Sequence, residues 1–127
     1  MRETIFTKNA PAPLGPYSQA VRFGNTYYFS GQIALDPQTG AFVSETDVKL
    51  QTQQVMKNIQ ALLSESGLSF DNVVKTSIFL KSMNDFPLVN EEYAKNFKDG
   101  IYPARETVEV SRLPKDALVE ISVICAK

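Results

Sequence analysis

One amphipathic segment in the middle of the chain constrains the fold more than any other feature. Apolar side chains recur at intervals of three and four residues from Val48 to Leu63, and Gly67 follows as a stop signal. Ser44 and Asp47 precede this run at the spacing of a capping box, with Asp in the place of the usual Glu. The pattern predicts one long helix that must bury an apolar face against a second layer. The apolar positions are Val48, Val55, Met56, Ile59, Leu62 and Leu63.

The segments on either side of this helix have the composition and alternation of β-strands. Residues 19–23 and 26–33, separated by Gly-Asn, predict a hairpin before the helix. Residues 73–80 are β-branched and apolar, which predicts a central strand. Residues 106–112 and 118–126 predict a second hairpin at the C-terminus. The chain therefore has strand pairs at both ends and a single strand near its centre.

A second helix is predicted between the central strand and the C-terminal strands. Asn84 or Asp85 is expected to cap it, Pro87 lies near its first turn, and Gly100 is expected to end it. The resulting order, ββ-helix-strand-helix-ββ, predicts a single α+β domain over residues 1–127. Both helices are expected on one face of an antiparallel or mixed sheet. The inner face of the second helix is predicted to consist of Val89, Tyr93 and Phe97.

Alternation along the last two predicted strands produces a polar face. Val108 and Val110 are expected on one side, and the polar residues of the same strand on the other, namely Arg105, Thr107, Glu109 and Ser111. Glu120 and Ser122 are expected to share a side in the same way, opposite their apolar neighbours. If the apolar sides contact the helices, the polar sides are directed outward. They then face either water or another subunit, and the pattern leaves both possibilities open.

The charge and residue content exclude several classes of function. Thirteen Lys and Arg residues against fourteen Asp and Glu residues give a net charge of -1, without a basic block. Binding of nucleic acid through its phosphates is therefore not expected. The chain has no His, which excludes His-based catalytic triads and most zinc sites. Any chemistry must use Arg, carboxylates, hydroxyls, backbone groups and water, and no metal is expected.

The cysteine content and the apolar runs predict a cytoplasmic protein. Cys125 is the single cysteine, so no intramolecular disulfide can form, as is usual in a reducing compartment. It shares a face with apolar neighbours and is expected to be an inert core thiol. Residues 1–9 lack the apolar core of a signal peptide, and no apolar run reaches the ~20 residues of a membrane span. We expect a soluble protein without a membrane partner.

The residues with reactive groups also have ordinary structural interpretations. By pattern alone, Arg105 and Glu120 are typical of solvated charges on a strand. Tyr17 is typical of a loop aromatic that packs on the core, and Ser30-Gly31 is typical of a strand bulge. Periodicity therefore identifies none of them as a site.

Five short blocks, taken together, resemble the RidA (YjgF) family of reactive-intermediate deaminases. Each block alone is weak, but their order, their spacing and the total length match the family from Thr7 to Ile124. The blocks are Gly15-Pro16-Tyr17-Ser18-Gln19-Ala20, Ser30-Gly31-Gln32-Ile33, Tyr102-Pro103-Ala104-Arg105, Arg112-Leu113-Pro114-Lys115-Asp116 and Val119-Glu120-Ile121.

The resemblance implies a fold, an assembly and an activity. The fold would be a chorismate-mutase-like α+β sheet with two helices on one face. Three copies would form a homotrimer around a central barrel, with active sites in the clefts between subunits. The activity would be hydrolysis of 2-imino acids and their enamine tautomers, such as 2-iminobutanoate and 2-iminopropanoate, to 2-oxo acids and ammonia. The family uses no cofactor or metal, and the reaction removes reactive intermediates released by pyridoxal-phosphate enzymes.

The resemblance also implies roles for residues at matching positions. Arg105 would hold the substrate carboxylate, which suits the planar fork of a guanidinium. Tyr17 would lie against the substrate from the neighbouring subunit, and Glu120 would hold the attacking water. Ser30 and Gly31 would line the same cleft. Arg105, Glu120 and Tyr17 are thus the expected catalytic residues.

Two further positions are expected to contribute to substrate binding. Asn90, placed at the start of the second predicted helix, matches a family Asn that supports the site. Thr107 occupies a position where many members have Cys. The resemblance implies that this position acts through its backbone carbonyl, so that the exchange would be neutral.

Two other functions are open at this level. A regulatory protein of purine or branched-chain amino-acid metabolism could use the Arg105 cleft to sense a small carboxylate, since such a cleft supports binding as well as turnover. The family has also been described as ribonucleases and translation inhibitors. The absence of His, the absence of a basic patch and the acidic pI of about 5.4 argue against RNA as a substrate.

Overall fold

A mixed six-stranded sheet carries both helices on one side. The computed structural model describes residues 1–98 and 100–127. Its elements confirm the α+β prediction and add a short N-terminal strand. The strands are β1 (Glu3–Ile5), β2 (Ala20–Phe23), β3 (Thr26–Phe29), β4 (Val73–Leu80), β5 (Ala104–Glu109) and β6 (Val119–Ala126), and the helices are α1 (Val48–Glu65) and α2 (Phe86–Ala94).

The strand order shows that the predicted C-terminal hairpin is wrong. The order across the sheet is β1-β2-β3-β6-β4-β5, so β5 and β6 lie on opposite sides of β4. The pair β4/β5 is parallel, because α2 carries the chain back to the starting end of the sheet. Strand β6 then enters between β3 and β4 and is antiparallel to both. A helical crossover, not a hairpin, therefore determines where Arg105 lies.

Helix α1 begins with a different cap from the one predicted. Oδ1 of Asp47 accepts a hydrogen bond from the Leu50 N–H at 3.1 Å, so Asp47 is the cap. Oγ of Ser44 instead accepts from the Asp47 N–H at 3.0 Å. The stop signal is confirmed, since Gly67 has a φ of +71° just after the helix. The buried face of α1 includes the predicted positions Val48, Val55, Met56, Ile59, Leu62 and Leu63.

Helix α2 is shorter than predicted, ending at Ala94 and not at Gly100. The side-chain amide of Asn96 donates to the main-chain oxygens of Glu92 and Tyr93, both at 3.2 Å, and so closes the last turn. Asp85 caps the helix without a side-chain bond. Asn90 therefore lies in the middle of the helix, whereas the sequence placed it at the start.

The register shows that Arg105 and Glu120 lie on opposite faces of the sheet. Arg105 pairs with Thr76, which is fully buried beneath the helices, whereas Glu120 pairs with Phe79 on the open face. The prediction that the polar side of β5 points away from the helices is wrong. Strand β5 is an edge strand, so positions on its helix side remain partly exposed and accept polar side chains.

The core lies between the sheet and the helices and contains the cysteine. Cys125 is fully buried, and burial raises the pKa of its thiol to about 12, which confirms the prediction of a core thiol. Over the described ranges, neither helix is long and apolar enough to cross a bilayer.

Candidate active site

An open cleft of about 480 Å³ lies between α2 and the start of β5. Pockets that bind small molecules usually occupy a few hundred cubic ångströms, so the volume suits a small ligand. The aromatic and apolar surfaces surround one cationic group, which gives the cleft a defined electrostatic character. Its lining residues are Asn90, Tyr93, Ala94, Tyr102, Pro103 and Arg105.

The Arg105 guanidinium is held by one hydrogen bond and by two aromatic rings. Its Nη1 donates to Asn90 Oδ1 at 2.7 Å, and its Cζ lies 5.3 Å from the Tyr93 ring centroid and 5.5 Å from that of Phe86. These distances are within the range of cation–π attraction. The side chain nevertheless remains exposed, and a guanidinium has further N–H donors for a ligand. Arg105 is thus preorganised to accept an anion from the cleft.

The Tyr93 ring that contacts Arg105 is itself held in place by a buried hydrogen bond. Its hydroxyl donates to Thr76 Oγ1 at 2.9 Å, and both residues are buried. Burial raises the pKa of the Tyr93 phenol, so the ring stays neutral at physiological pH. The sequence assigned Tyr93 only to the inner face of the second helix. Its contact with the guanidinium depends on the parallel β4/β5 pairing, which the sequence did not predict.

Thr107 lies on the same face of the sheet as Arg105 but does not line the cleft around Arg105. It pairs with Ile78 on β4, beneath the helix layer. Its Oγ1 is buried and has no hydrogen-bond partner among residues 1–98 and 100–127. The hydroxyl is therefore enclosed by the chain itself in this structure.

A second and much narrower crevice lies on the other side of the sheet. Its volume is about 50 Å³, enough for one or two water molecules. A Pro-rich loop, residues 7–17, covers it from one side, and the turn between β5 and β6 closes it from the other. The lining residues are Pro11, Ala12, Leu14, Tyr17, Gln19, Gly31, Gln32, Ile33, Leu35, Pro114 and Glu120.

The Glu120 carboxyl is packed directly against Gly31. A Cβ atom at position 31 would lie 2.8 Å from Glu120 Cδ and 2.9 Å from its Cγ, closer than side chains allow. Reciprocal main-chain bonds of 2.8 and 3.1 Å between Gln32 and Ile121 hold this segment against β6. Burial raises the pKa of Glu120 above its ordinary value. The missing side chain at Gly31 thus creates the space that the carboxyl occupies.

Tyr17 lines the Glu120 crevice, whereas Ser30 does not line it and instead bonds to the loop that covers it. The Tyr17 hydroxyl accepts a hydrogen bond from the Leu14 N–H at 3.0 Å, which folds the loop back on itself. Ser30 Oγ donates to the Ser18 oxygen at 2.6 Å, so this hydroxyl supports the loop. Ser30 is not among the residues that line the crevice.

Strand β3 ends at Phe29, and the expected extension to residue 33 is wrong.

The two clefts of one chain cannot serve one small molecule. Strand β4 separates β5 from β6, which places Arg105 and Glu120 about 10 Å apart across the sheet. Their partners Thr76 and Phe79 add about 10 Å along the strands. Their side chains also point to opposite faces. Within one chain, Arg105 and Glu120 therefore belong to two separate clefts.

Neither cleft has the features of a metal site. The described part of the chain has no group of three or more Asp, Glu or Cys side chains arranged to hold a metal ion. The available chemistry is a fixed cation in one cleft, and a desolvated carboxyl with room for water in the other.

Comparison with known proteins identifies the family. A family model described as Endoribonuclease L-PSP matches residues 7–127. The chain belongs to this family, also called the RidA family. This confirms the resemblance found in the five sequence blocks.

Relatives of the RidA family match over the whole chain. A RutC family protein of Pyrococcus horikoshii is 53% identical over 127 residues, covering 100% of this chain and 99% of that protein. A protein of Salmonella typhimurium named 2-iminobutanoate/2-iminopropanoate deaminase is 46% identical over 129 residues, covering 100% and 99%. The crystal structure of a Rid family protein from Yersinia pestis has a TM-score of 0.96 at 51% identity and covers 100% of both chains.

The structure also contains RidA-family residues whose roles the sequence did not predict. Gln19 belongs to one of the matched blocks, yet only the structure shows its side chain holding the loop over Glu120. Pro114 comes from another block and lies in the wall of the crevice. Their positions inside matched blocks were the available signal. Leu14 and Leu35 also line the crevice but lie outside the matched blocks, so they carried no comparable signal.

Proposed function

We propose that this protein hydrolyses 2-imino acids, such as 2-iminobutanoate and 2-iminopropanoate, to 2-oxo acids and ammonia. The observation that carries the proposal is the division of chemistry between a preorganised Arg105 and a desolvated Glu120 beside a water-sized crevice. The deaminase name of the Salmonella typhimurium relative supports the same reaction. The proposed biological role is removal of reactive imines and enamines in the cytoplasm.

Arg105 anchors the substrate through its carboxylate. The guanidinium matches both carboxylate oxygens and fixes orientation as well as charge. Asn90 restrains the guanidinium from one side, and the rings of Phe86 and Tyr93 lie against it. The aromatic wall provided by Tyr102 also leaves room for a short apolar side chain. This arrangement suits a small 2-imino acid.

Glu120 activates the water that attacks the imine. The iminium carbon is already electrophilic, so catalysis needs a positioned water and a proton acceptor. The water oxygen bonds to the carbon while its proton passes to Glu120, and the C=N electron pair moves to nitrogen. Glu120 then returns the proton to nitrogen, and the C–N bond breaks as the remaining hydroxyl becomes the carbonyl and gives its own proton to Glu120. Ammonia leaves, and Glu120 passes this last proton to solvent. Burial raises the pKa of Glu120, which makes its carboxylate a stronger proton acceptor.

A complete site requires more than one copy of the chain. Arg105 and Glu120 of one chain are too far apart and point to opposite faces, whereas the reacting carbon is bonded directly to the substrate carboxylate. We therefore propose a homotrimer in which Arg105 of one subunit meets Tyr17, Gly31 and Glu120 of the next. Closed cyclic symmetry repeats the same contact around the ring. Asn90 supports the Arg105 half, and Ser30 supports the Glu120 half.

A ribonuclease activity, which the family description names, has less support in this chain. It would need a surface for polyanionic RNA, but the net charge is -1 and the pI is about 5.4. A regulatory protein that senses 2-oxo acids would use the same Arg105 cleft without turnover. The experiment below separates that alternative from the deaminase.

The test couples a threonine dehydratase to this protein and follows the imine by trapping with semicarbazide. If the proposal is correct, the purified protein lowers semicarbazone formation and speeds ammonia release in proportion to its concentration. A protein that binds 2-oxobutanoate but leaves both rates unchanged is a sensor, and this result would contradict the proposal. Light scattering on the same sample should give about three times the 14.1 kDa chain mass.

A further inference from the structure

The loop that covers Glu120 is attached to the fold through one buried amide side chain. Oε1 of Gln19 accepts from the Thr7 N–H at 2.8 Å, and Nε2 donates to the Thr7 oxygen at 2.9 Å. The same Nε2 lies 2.9 Å from the Pro11 oxygen and 3.2 Å from the Ala10 oxygen. Gln19 is 2% exposed, so these bonds are shielded from water.

The bonds from the Gln19 amide to residues 7–11 form a clamp, and the position of Gln19 connects this clamp to the crevice. Gln19 lies at the end of the loop, next to β2, and its main-chain oxygen accepts from the Ser30 N–H at 3.0 Å. Gln19 lines the crevice together with Glu120. Residues 7–17 have little regular structure of their own, so the amide supplies bonds that a strand ladder would otherwise provide.

The same loop carries groups that form the wall of the crevice. Pro11, Ala12, Leu14 and Tyr17 all line it. The Tyr17 hydroxyl is bonded to the Leu14 N–H within the loop, so Tyr17 depends on the loop conformation that Gln19 fixes at its base. Release of the clamp would displace the wall and admit bulk water.

We propose that Gln19 is a positioning residue that holds residues 7–17 over Glu120 through its side-chain amide and so sets the rate of the proposed hydrolysis. Gln19 does not touch the reacting atoms in this account. Its effect passes through the loop to Tyr17 and to the water beside Glu120. The inference rests on the proposed function for its kinetic part and on the bonds of Gln19 alone for its structural part.

Two substitutions separate the clamp from general stability. Gln19→Leu removes every side-chain bond at similar size, and Gln19→Glu keeps an acceptor for the Thr7 N–H while removing the amide donor. Thr52→Val is the matched control, because Thr52 is fully buried and donates to the Val48 oxygen inside α1, away from both clefts. Thr52→Val should lower the melting temperature without changing kcat/KM.

The experiment combines amide hydrogen exchange with a double-mutant cycle in the full-length protein. Gln19→Leu should speed exchange in residues 7–17 while α1 stays protected, and it should lower kcat/KM by at least about tenfold. Combined with Tyr17→Phe, it should lower the rate little further, because both changes release the same loop. Gln19→Glu should loosen the loop at least as much, because its carboxylate would face the oxygens of Thr7, Ala10 and Pro11 in a buried position.

Three outcomes would overturn the inference: unchanged loop exchange, a loosened loop with near-normal rate, or losses that simply multiply in the double variant. If the unmodified protein hydrolyses no imine, the proposed function fails. The variants are then compared by amide hydrogen exchange alone. Faster exchange in residues 7–17 of Gln19→Leu but not of Thr52→Val supports the structural part of the positioning role, and equal exchange in both variants refutes it.

Discussion

The two clefts of this protein differ in volume and in their exposure to water. The Arg105 cleft is open, about 480 Å³ in volume, and built by an edge strand against a helix, so its cation is supported by rings and still exposed. The Glu120 crevice is about 50 Å³ and covered by a clamped loop, so its carboxyl is desolvated. An anchor must be reachable by substrate, whereas a base gains from exclusion of water. One sheet provides both environments by using its two faces.

The largest expected effect comes from removing the proposed base, Glu120, while leaving the proposed anchor, Arg105. Glu120→Gln keeps the shape of the side chain but cannot accept the proton, so kcat should fall by about 10²–10⁴-fold. Binding of 2-oxobutanoate should change little, because the carboxylate anchor lies in the other cleft. The coupled assay measures kcat, and calorimetry measures the binding of 2-oxobutanoate. Parallel loss of binding and rate would mean that Glu120 has a structural role.

Removing the anchor should have a somewhat smaller effect of a different kind. Loss of a bidentate charged contact in Arg105→Ala should lower kcat/KM about a hundredfold and weaken binding of 2-oxobutanoate to a similar extent. Arg105→Lys should restore little, because an ammonium is a point charge without the planar fork. Melting curves should remain near those of the unmodified protein, since Arg105 is exposed. Near-normal activity in both folded variants would refute the anchor.

A smaller effect is expected from filling the space behind the carboxyl. Gly31→Ala would place a Cβ within 2.9 Å of Glu120 carbons, so the flexible carboxyl must move. We expect roughly a tenfold loss of kcat with an intact fold and unchanged binding to the Arg105 cleft. Steady-state kinetics and circular dichroism check this. A variant with full activity would show that the close contact does not position Glu120.

The smallest expected effect is on stability, and its sign follows from the raised pKa of Glu120. The folded state holds this proton more tightly than the unfolded state, so stability falls as pH rises from the unfolded pKa, near 4.5, through the higher folded pKa. At pH 7 the buried charge is a cost that Glu120→Gln removes. The variant should therefore melt slightly higher than the parent at pH 7, and the advantage should shrink as pH falls through the raised folded pKa and should be lost by pH 4.5. A constant difference across pH would argue against a desolvated carboxyl.

The sequence predicted local structure better than it predicted strand neighbours. Periodicity identified α1, and the bounds of β4, residues 73–80, were correct, because both depend on local side-chain patterns. The pairing of β5 with β4 was missed, because the order of strands depends on long-range packing that alternation does not encode. The face of Arg105 was wrong for the same reason. An edge strand tolerates polar residues on its covered side.

The candidate residues came from the family resemblance, and their arrangement came from the structure. Arg105, Glu120 and Tyr17 were named from short blocks, yet nothing in those blocks indicated that Arg105 and Glu120 lie in separate clefts. Gln19 was quoted within a block without a role. Its bonds to residues 7–11 join segments that no short motif relates.

The most direct test of the central claim, that a site is completed between copies, is complementation in mixed assemblies. Arg105→Ala and Glu120→Gln should each keep about one hundredth of the parental activity or less, but co-refolding equal amounts should restore about a quarter of the parental sites, since the two intact residues can meet across an interface. Co-refolding the parent with the double variant should also leave about a quarter of the sites intact, against about half if each chain formed its own site. Activity in the mixed single variants that does not exceed the sum of the separate variants would contradict the account.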